Sequence, residues 1–200
     1  ELVLWFEHDL FDQLNLIQLL ARIGRDRPVR KPVSLVSIDR YPGYPQFKGL
    51  GELKAADIAA LYEQRRRVTP QQYAVSAAAW DAFRSGDSAR LETLLQEDIS
   101  ALPFLGAALR RYLDENRRDA AGLTRSERRL VEQLQHGPLD IRSAFTAMHE
   151  GETAYYITDS TFWTMVKRLA ARTPPLIDVA IEGAATGRPS LPSGTLSLLR

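Results

Sequence analysis

The sequence predicts an α/β protein: a small parallel, Rossmann-like strand–helix–strand unit (residues 1–53), a helical region packed on it (54–119), and a winged-helix-like module (120–200). Three observations carry this. Two short, continuous apolar runs, residues 2–6 and 33–38, flank a segment of helical periodicity. Residues 54–119 then keep helical spacing without a strand-like run. From residue 120, three helical segments precede two β-rich runs, the order of a winged helix.

Residues 2–6, Leu-Val-Leu-Trp-Phe, read as a strand buried on both faces. From Leu10 to Ile23 the apolar stripe is Leu10, Phe11, Leu14, Ile17, Leu20 and Ala21, with Asp12, Asn15, Gln18 and Arg22 opposite and Gly24 as the stop. A basic loop leads to the second strand, 33–38. A short crossover of this kind makes a parallel, right-handed pair. Tyr41-Pro-Gly-Tyr-Pro45 ends the strand, because prolines remove ladder donors, and the chain stays irregular through Gly51.

Helices follow at 54–65 and at 70–84, where Thr69, Pro70 and Gln72 supply a cap, a first-turn proline and a capping-box partner. Further helices fit 89–96 and the Leu102/Leu105/Leu109/Leu113 spacing, and residues 117–122 form a connection. Thr124 and Glu127 make a second capping box ahead of a helix that His136-Gly137-Pro138 stops. Helices at 141–148 and 159–172 precede strands at 176–181 and 195–199, separated by a Gly/Pro/Ser-rich loop.

With no cysteine, the chain excludes a thiol nucleophile, a disulfide framework and cysteine-ligated metal. Lys and Arg number 26 against 25 Asp and Glu, so net charge announces neither nucleic acid nor a membrane. No apolar run approaches the roughly 20 residues of a spanning helix, and a cytoplasmic protein is expected. The chain opens inside a strand without methionine, so upstream residues are expected to be missing.

Candidate chemistry gathers where the first strand ends. Glu7-His8-Asp9 stands at the carboxyl edge, where open α/β sheets bind ligands. A parallel second strand delivers Asp39 and Arg40 to the same edge, with Asp12, Lys48, Gly49 and Gly51 near by. Glu7, Asp9 and Asp39 read as metal or acid–base groups, His8 as a proton carrier or ligand, and Lys48 as an anion contact. Carboxylates with one imidazole suit Mg²⁺ or Mn²⁺, crowded carboxylates separate their pKa values, and glycine N–H groups can approach a phosphate. The bland alternative makes Asp9 a helix cap, Glu7 and Asp12 dipole partners, and His8 a packing residue against Trp5 or Tyr41.

The leading function is therefore binding of a phosphate-containing or metal-bound small ligand at this corner. The alternative is a DNA-binding regulator using Lys167, Arg168 and Arg172 of the winged helix, with the α/β part as sensor. Residues 120–200 carry nine basic and eight acidic groups, so a protein partner competes with DNA there. The arginine run 65–67 reads as a solvated face, and His136 and His149 match no metal spacing.

The stretch Leu4-Trp-Phe-Glu-His-Asp-Leu-Phe-Asp-Gln13, with Pro42-Gly43, Gly49 to Leu53, Leu102 to Leu105 and Leu123 to Arg129, resembles bacterial proteins of the domain-of-unknown-function 1835 family. The resemblance covers nearly the whole chain. It implies an N-terminal stretch, absent here, with further Asp, Trp and His residues, and it brings no established activity. What it suggests is that the Glu7-His8-Asp9 corner is a recurring feature.

Overall fold

The computed structural model describes residues 1–25, 31–45, 47–182 and 191–199. The basic loop before the second strand and most of the loop between the last two strands lie outside the described residues. The chain divides into two compact units, residues 1–113 with 153–155, and residues 114–152 with 156–200.

In the first unit, β1 (Leu2–Glu7) leads into α1 (Leu10–Arg25) and β2 (Val33–Ile38). The two strands are parallel, with Leu4 opposite Leu35 and Glu7 opposite Ile38. A turn at Tyr41–Tyr44 and a 3₁₀ turn (Leu50–Glu52) precede α2 (Ala55–Glu63) and β3 (Arg66–Arg67), which pairs antiparallel with β2. Then come α3 (Pro70–Arg84), α4 (Ser88–Leu94) and α5 (Leu105–Asn116). Leu4, Leu16, Ile17, Leu20, Leu35, Ala79 and Leu105 are among the residues of one buried cluster joining the sheet to α1, α3 and α5.

Four local expectations change. β1 is an edge strand in the order β1-β2-β3, so only Leu4 is fully buried and Leu2 is exposed, whereas central β2 buries Val33 to Val36. Gly24 does not end α1. A Cβ there would lie 3.3 Å from Tyr73 Cδ1, so glycine lets α1 and α3 approach closely. Phe11, assigned to the apolar stripe, is 72% exposed, while Gln13 takes the inner position. The arginine run is half a strand: Arg66 and Arg67 pair with Leu35 and Ser34 because extended backbone beside β2 satisfies its outer ladder groups.

In the second unit, α6 (Arg125–Leu134), β4 (Leu139–Asp140), α7 (Ile141–Ala147) and α8 (Asp159–Ala170) precede β5 (Ile177–Ile181) and β6 (Gly194–Leu198). The sheet order is β4-β6-β5, antiparallel throughout. Strand β4 is too short for periodicity to reveal. Both predicted capping boxes form: Thr69 with Gln72, and Thr124 with Glu127. Leu130, Ile141, Ala144, Phe162, Val166, Leu169, Ile177 and Leu196 are buried in this unit.

Candidate functional site

The β1–α1 junction is knitted by its own carboxylates. Asp9 accepts the Asp12 N–H at 2.8 Å, which is the N-cap bond that an Asp before a helix supplies. Asp12 in turn accepts the Glu7 N–H, and Gln13 Nε2 donates to the Glu7 carbonyl at 2.7 Å. The Leu10 N–H donates to the Ala154 carbonyl at 2.6 Å. The outward peptide groups at the end of β1 are thus closed by side chains of the helix that follows.

The Glu7 side chain reaches into the loop after β2. Its Oε1 accepts the Leu50 N–H at 2.6 Å. Beneath it Gly49 is buried; a Cβ there would stand 2.5 Å from Glu7 Cδ and 2.6 Å from Oε1. The main-chain donor next to Gly49, expected to face a phosphate, therefore holds the protein's own carboxylate. The Lys48 N–H is committed to Glu52 Oε2 at 3.0 Å, Lys48 itself is exposed, and Gly51 faces open space.

Burial raises the Glu7 carboxyl above the ordinary range, against the Leu50 N–H bond, and the Asp12 and Asp9 charges add to the rise. Burial likewise raises Asp9, with Asp12 adding, while the Asp12 N–H opposes. Both effects disfavour the ionised form in a site with three nearby acids. Asp39 differs. The Arg40 guanidinium donates to both its oxygens, at 3.0 and 3.1 Å, and holds its carboxyl low, with Arg40 86% exposed. The pairing with Arg40 favours the ionised form of Asp39.

His8 is 7% exposed. Its ring stacks on Phe47 and meets the edge of Phe104, each with centroids 6.3 Å away. The packing expectation held in kind, with these two phenylalanines in place of Trp5 or Tyr41. Phe6 and Ser37 stand opposite each other in the β1–β2 register and share a face of the sheet. Ser37 Oγ is buried without a hydrogen-bond partner among the described residues.

Two polar groups of this corner escaped the sequence reading. Gln13 had a signal: positions 10, 13, 17 and 20 line one helix face, and a glutamine interrupts an otherwise apolar row. Ser37 had none, since serine inside an apolar strand is ordinary.

Among the described residues, no group of three or more His, Asp or Glu side chains is arranged to hold a metal ion. Of the carboxylates expected to hold Mg²⁺ or Mn²⁺, Glu7 and Asp9 each accept a backbone N–H, as does the neighbouring Asp12.

In the second unit, Glu127 is 1% exposed and accepts the Thr124 N–H at 2.8 Å. Arg168 donates to it through Nε at 2.8 Å, with NH2 also at 2.8 Å, and Arg118 stands at 3.6 Å. Arg172 donates to the Ala121 carbonyl at 2.9 Å. Two of the three cations assigned to DNA are thereby held by protein acceptors. Lys167 is exposed and makes no ion pair among the described residues. The outer face of α8 presents Ser160, Thr161, Thr164, Lys167 and Arg168, while Phe162, Met165, Val166 and Leu169 point inward.

No family model, curated protein or solved structure matches the chain.

Proposed function

We propose that this is a DNA-binding regulatory protein whose second unit is a winged helix and docks through α8. The observation that carries this reading is the chain order α6-β4-α7-α8-β5-β6 folded with strand order β4-β6-β5. A winged helix has that arrangement, in which the third helix enters the major groove and the loop between the last two strands forms the wing. The outer face of α8 supports it chemically, since hydroxyls and one lysine can meet phosphates and base edges.

The electrostatics set the character of binding. With Arg168 shared with Glu127 and Arg172 on a carbonyl, α8 neutralises about one to three phosphates, so the salt slope is shallow, about −1 to −3. Fluorescence anisotropy with a labelled duplex across a salt series tests this. Lys167→Ala is expected to reduce the slope by about 1. Absence of duplex binding at low salt, or a slope unmoved by Lys167→Ala, overturns the reading.

A second reading concerns the first unit, and the raised carboxyls of Glu7 and Asp9 favour it. The parallel pair ends beside the carboxyls of Glu7, Asp9 and Asp12. Such a corner suits a small ligand offering hydrogen-bond donors, an amine or a polyol, better than a bare phosphate, which three carboxylates repel. Here Glu7 and Asp9 hold or release protons. Amide chemical-shift mapping with spermidine and ribose as probes tests it. Shifts centred on residues 7–13 support it, and none with either probe overturns it.

A further inference from the structure

We infer that α8 selects thymine-rich duplex DNA, through contacts of the Thr161 and Thr164 methyls with thymine C5-methyl groups. The inference rests on the docking of α8 in the major groove. In that groove guanine is read by Arg or Lys, adenine by Asn or Gln, and cytosine by a carboxylate, while thymine presents a methyl group. The polar readers are missing from α8 or already engaged.

No Asn or Gln occurs in α8. Its one arginine, Arg168, is turned onto Glu127: Nε and Nη2 both stand 2.8 Å from Oε1 of a carboxylate that is 1% exposed. The edge of the guanidinium that grips Glu127 cannot at the same time grip guanine O6 and N7. Asp159, the one carboxylate of the helix, accepts the Ser160 N–H at 2.7 Å. Lys167 lies in the second half of α8, where a point charge on a flexible stem suits a phosphate.

The outward groups that remain are methyls. Thr161 and Thr164 are exposed and three residues apart, neighbours on one face of the helix. Thr161 Oγ1 lies 2.9 Å from Thr158 Oγ1, and Ser160 Oγ lies 3.0 Å from that same atom. With its hydroxyl bonded to the cap, Thr161 keeps its methyl as a contact group, which Ser160 lacks. Thr164 brings a second methyl. Both threonines stand in the first half of α8, the part of a recognition helix that meets base edges.

Fluorescence anisotropy of the whole 200-residue chain with two labelled duplexes, alternating A·T and alternating A·U, tests this. Uracil removes the methyl and keeps every major-groove donor and acceptor. Burying one methyl changes affinity about fourfold, so one or two contacts make the thymine duplex about four- to fifteenfold the tighter. Thr161→Ser and Thr164→Ser each delete a methyl and keep the hydroxyl; each is expected to lower that ratio, and the double variant to bring it close to one. Both sites are exposed, and an unchanged melting temperature checks that the variants fold. Equal binding of the two duplexes by the wild type, or a thymine preference that survives in the double variant, overturns this inference and leaves the docking of α8 standing. Binding to neither duplex overturns both.

Discussion

Gly49→Ala isolates the contact on which the corner is built. The backbone at Gly49 is fully extended (φ 170°, ψ 173°), a conformation open to alanine, so the cost comes from space alone. The added methyl would sit within 2.6 Å of Glu7 Oε1, inside any tolerable contact, and the carboxylate has to leave. Its departure breaks the 2.6 Å bond from the Leu50 N–H. Overpacking of about 1–3 kcal/mol, together with a charge-assisted bond of about 1.5–3 kcal/mol, gives an expected loss of about 2–4 kcal/mol once partial relaxation is allowed. Urea unfolding measures it. In a Trp163→Phe background the remaining indoles, Trp5 and Trp80, both lie in the first unit and report on it alone. The decisive form is a double-mutant cycle with Glu7→Ala. With the carboxylate gone, the methyl enters vacated space, and Gly49→Ala should cost less than about 0.5 kcal/mol, a coupling of about 2 kcal/mol. Equal costs in both backgrounds would refute the idea that Gly49 exists to receive Glu7.

Glu7→Gln keeps an acceptor for the Leu50 N–H and removes the buried charge. Because the folded carboxyl is raised, the native state binds a proton more tightly than the unfolded chain, and ionised Glu7 subtracts stability as pH rises through its folded pKa. The stability difference, variant minus wild type, should therefore increase as pH rises from the ordinary glutamate range through the raised folded value; a flat difference contradicts the raised carboxyl. In the second unit, Glu127→Ala leaves the Thr124 N–H and the inner side of Arg168 without their acceptor. It should cost about 2–4 kcal/mol, below the full figure for a sealed pair because Arg168 is half exposed. Glu127→Gln, which can still cap Thr124, should cost about half as much, and equal losses would show that the ion pair and not the cap matters. Lys167→Ala should leave thermal stability unchanged while lowering duplex affinity, separating a docking role from a structural one.

How much was legible depended on the range of the interaction that decided each feature. Strand, helix and cap positions were written locally: Thr69/Gln72 and Thr124/Glu127 form their boxes because each bond spans three residues. The parallel β1–β2 pair followed from a crossover that carries a whole helix, α1, between the two strands. Gly24, by contrast, looked like a stop and proved to be a packing contact with Tyr73, 49 positions away. Arg168 looked like a free cation until Glu127, 41 residues earlier, was seen to hold it.

By itself the sequence determined where the longer strands and helices form, that β1 and β2 run the same way, and that Glu7, His8 and Asp9 follow each other at the carboxyl end of β1. These depend on periodicity, capping and connection length, all properties of neighbouring residues. Only the tertiary structure decided what those groups do once assembled. It sent the Glu7 carboxylate to the Leu50 N–H across 43 residues, enclosed His8 between Phe47 and Phe104, and gave Asp39 to Arg40. A charged side chain takes whichever donor folding brings nearest, and that choice is made in space, after the chain order has done its part.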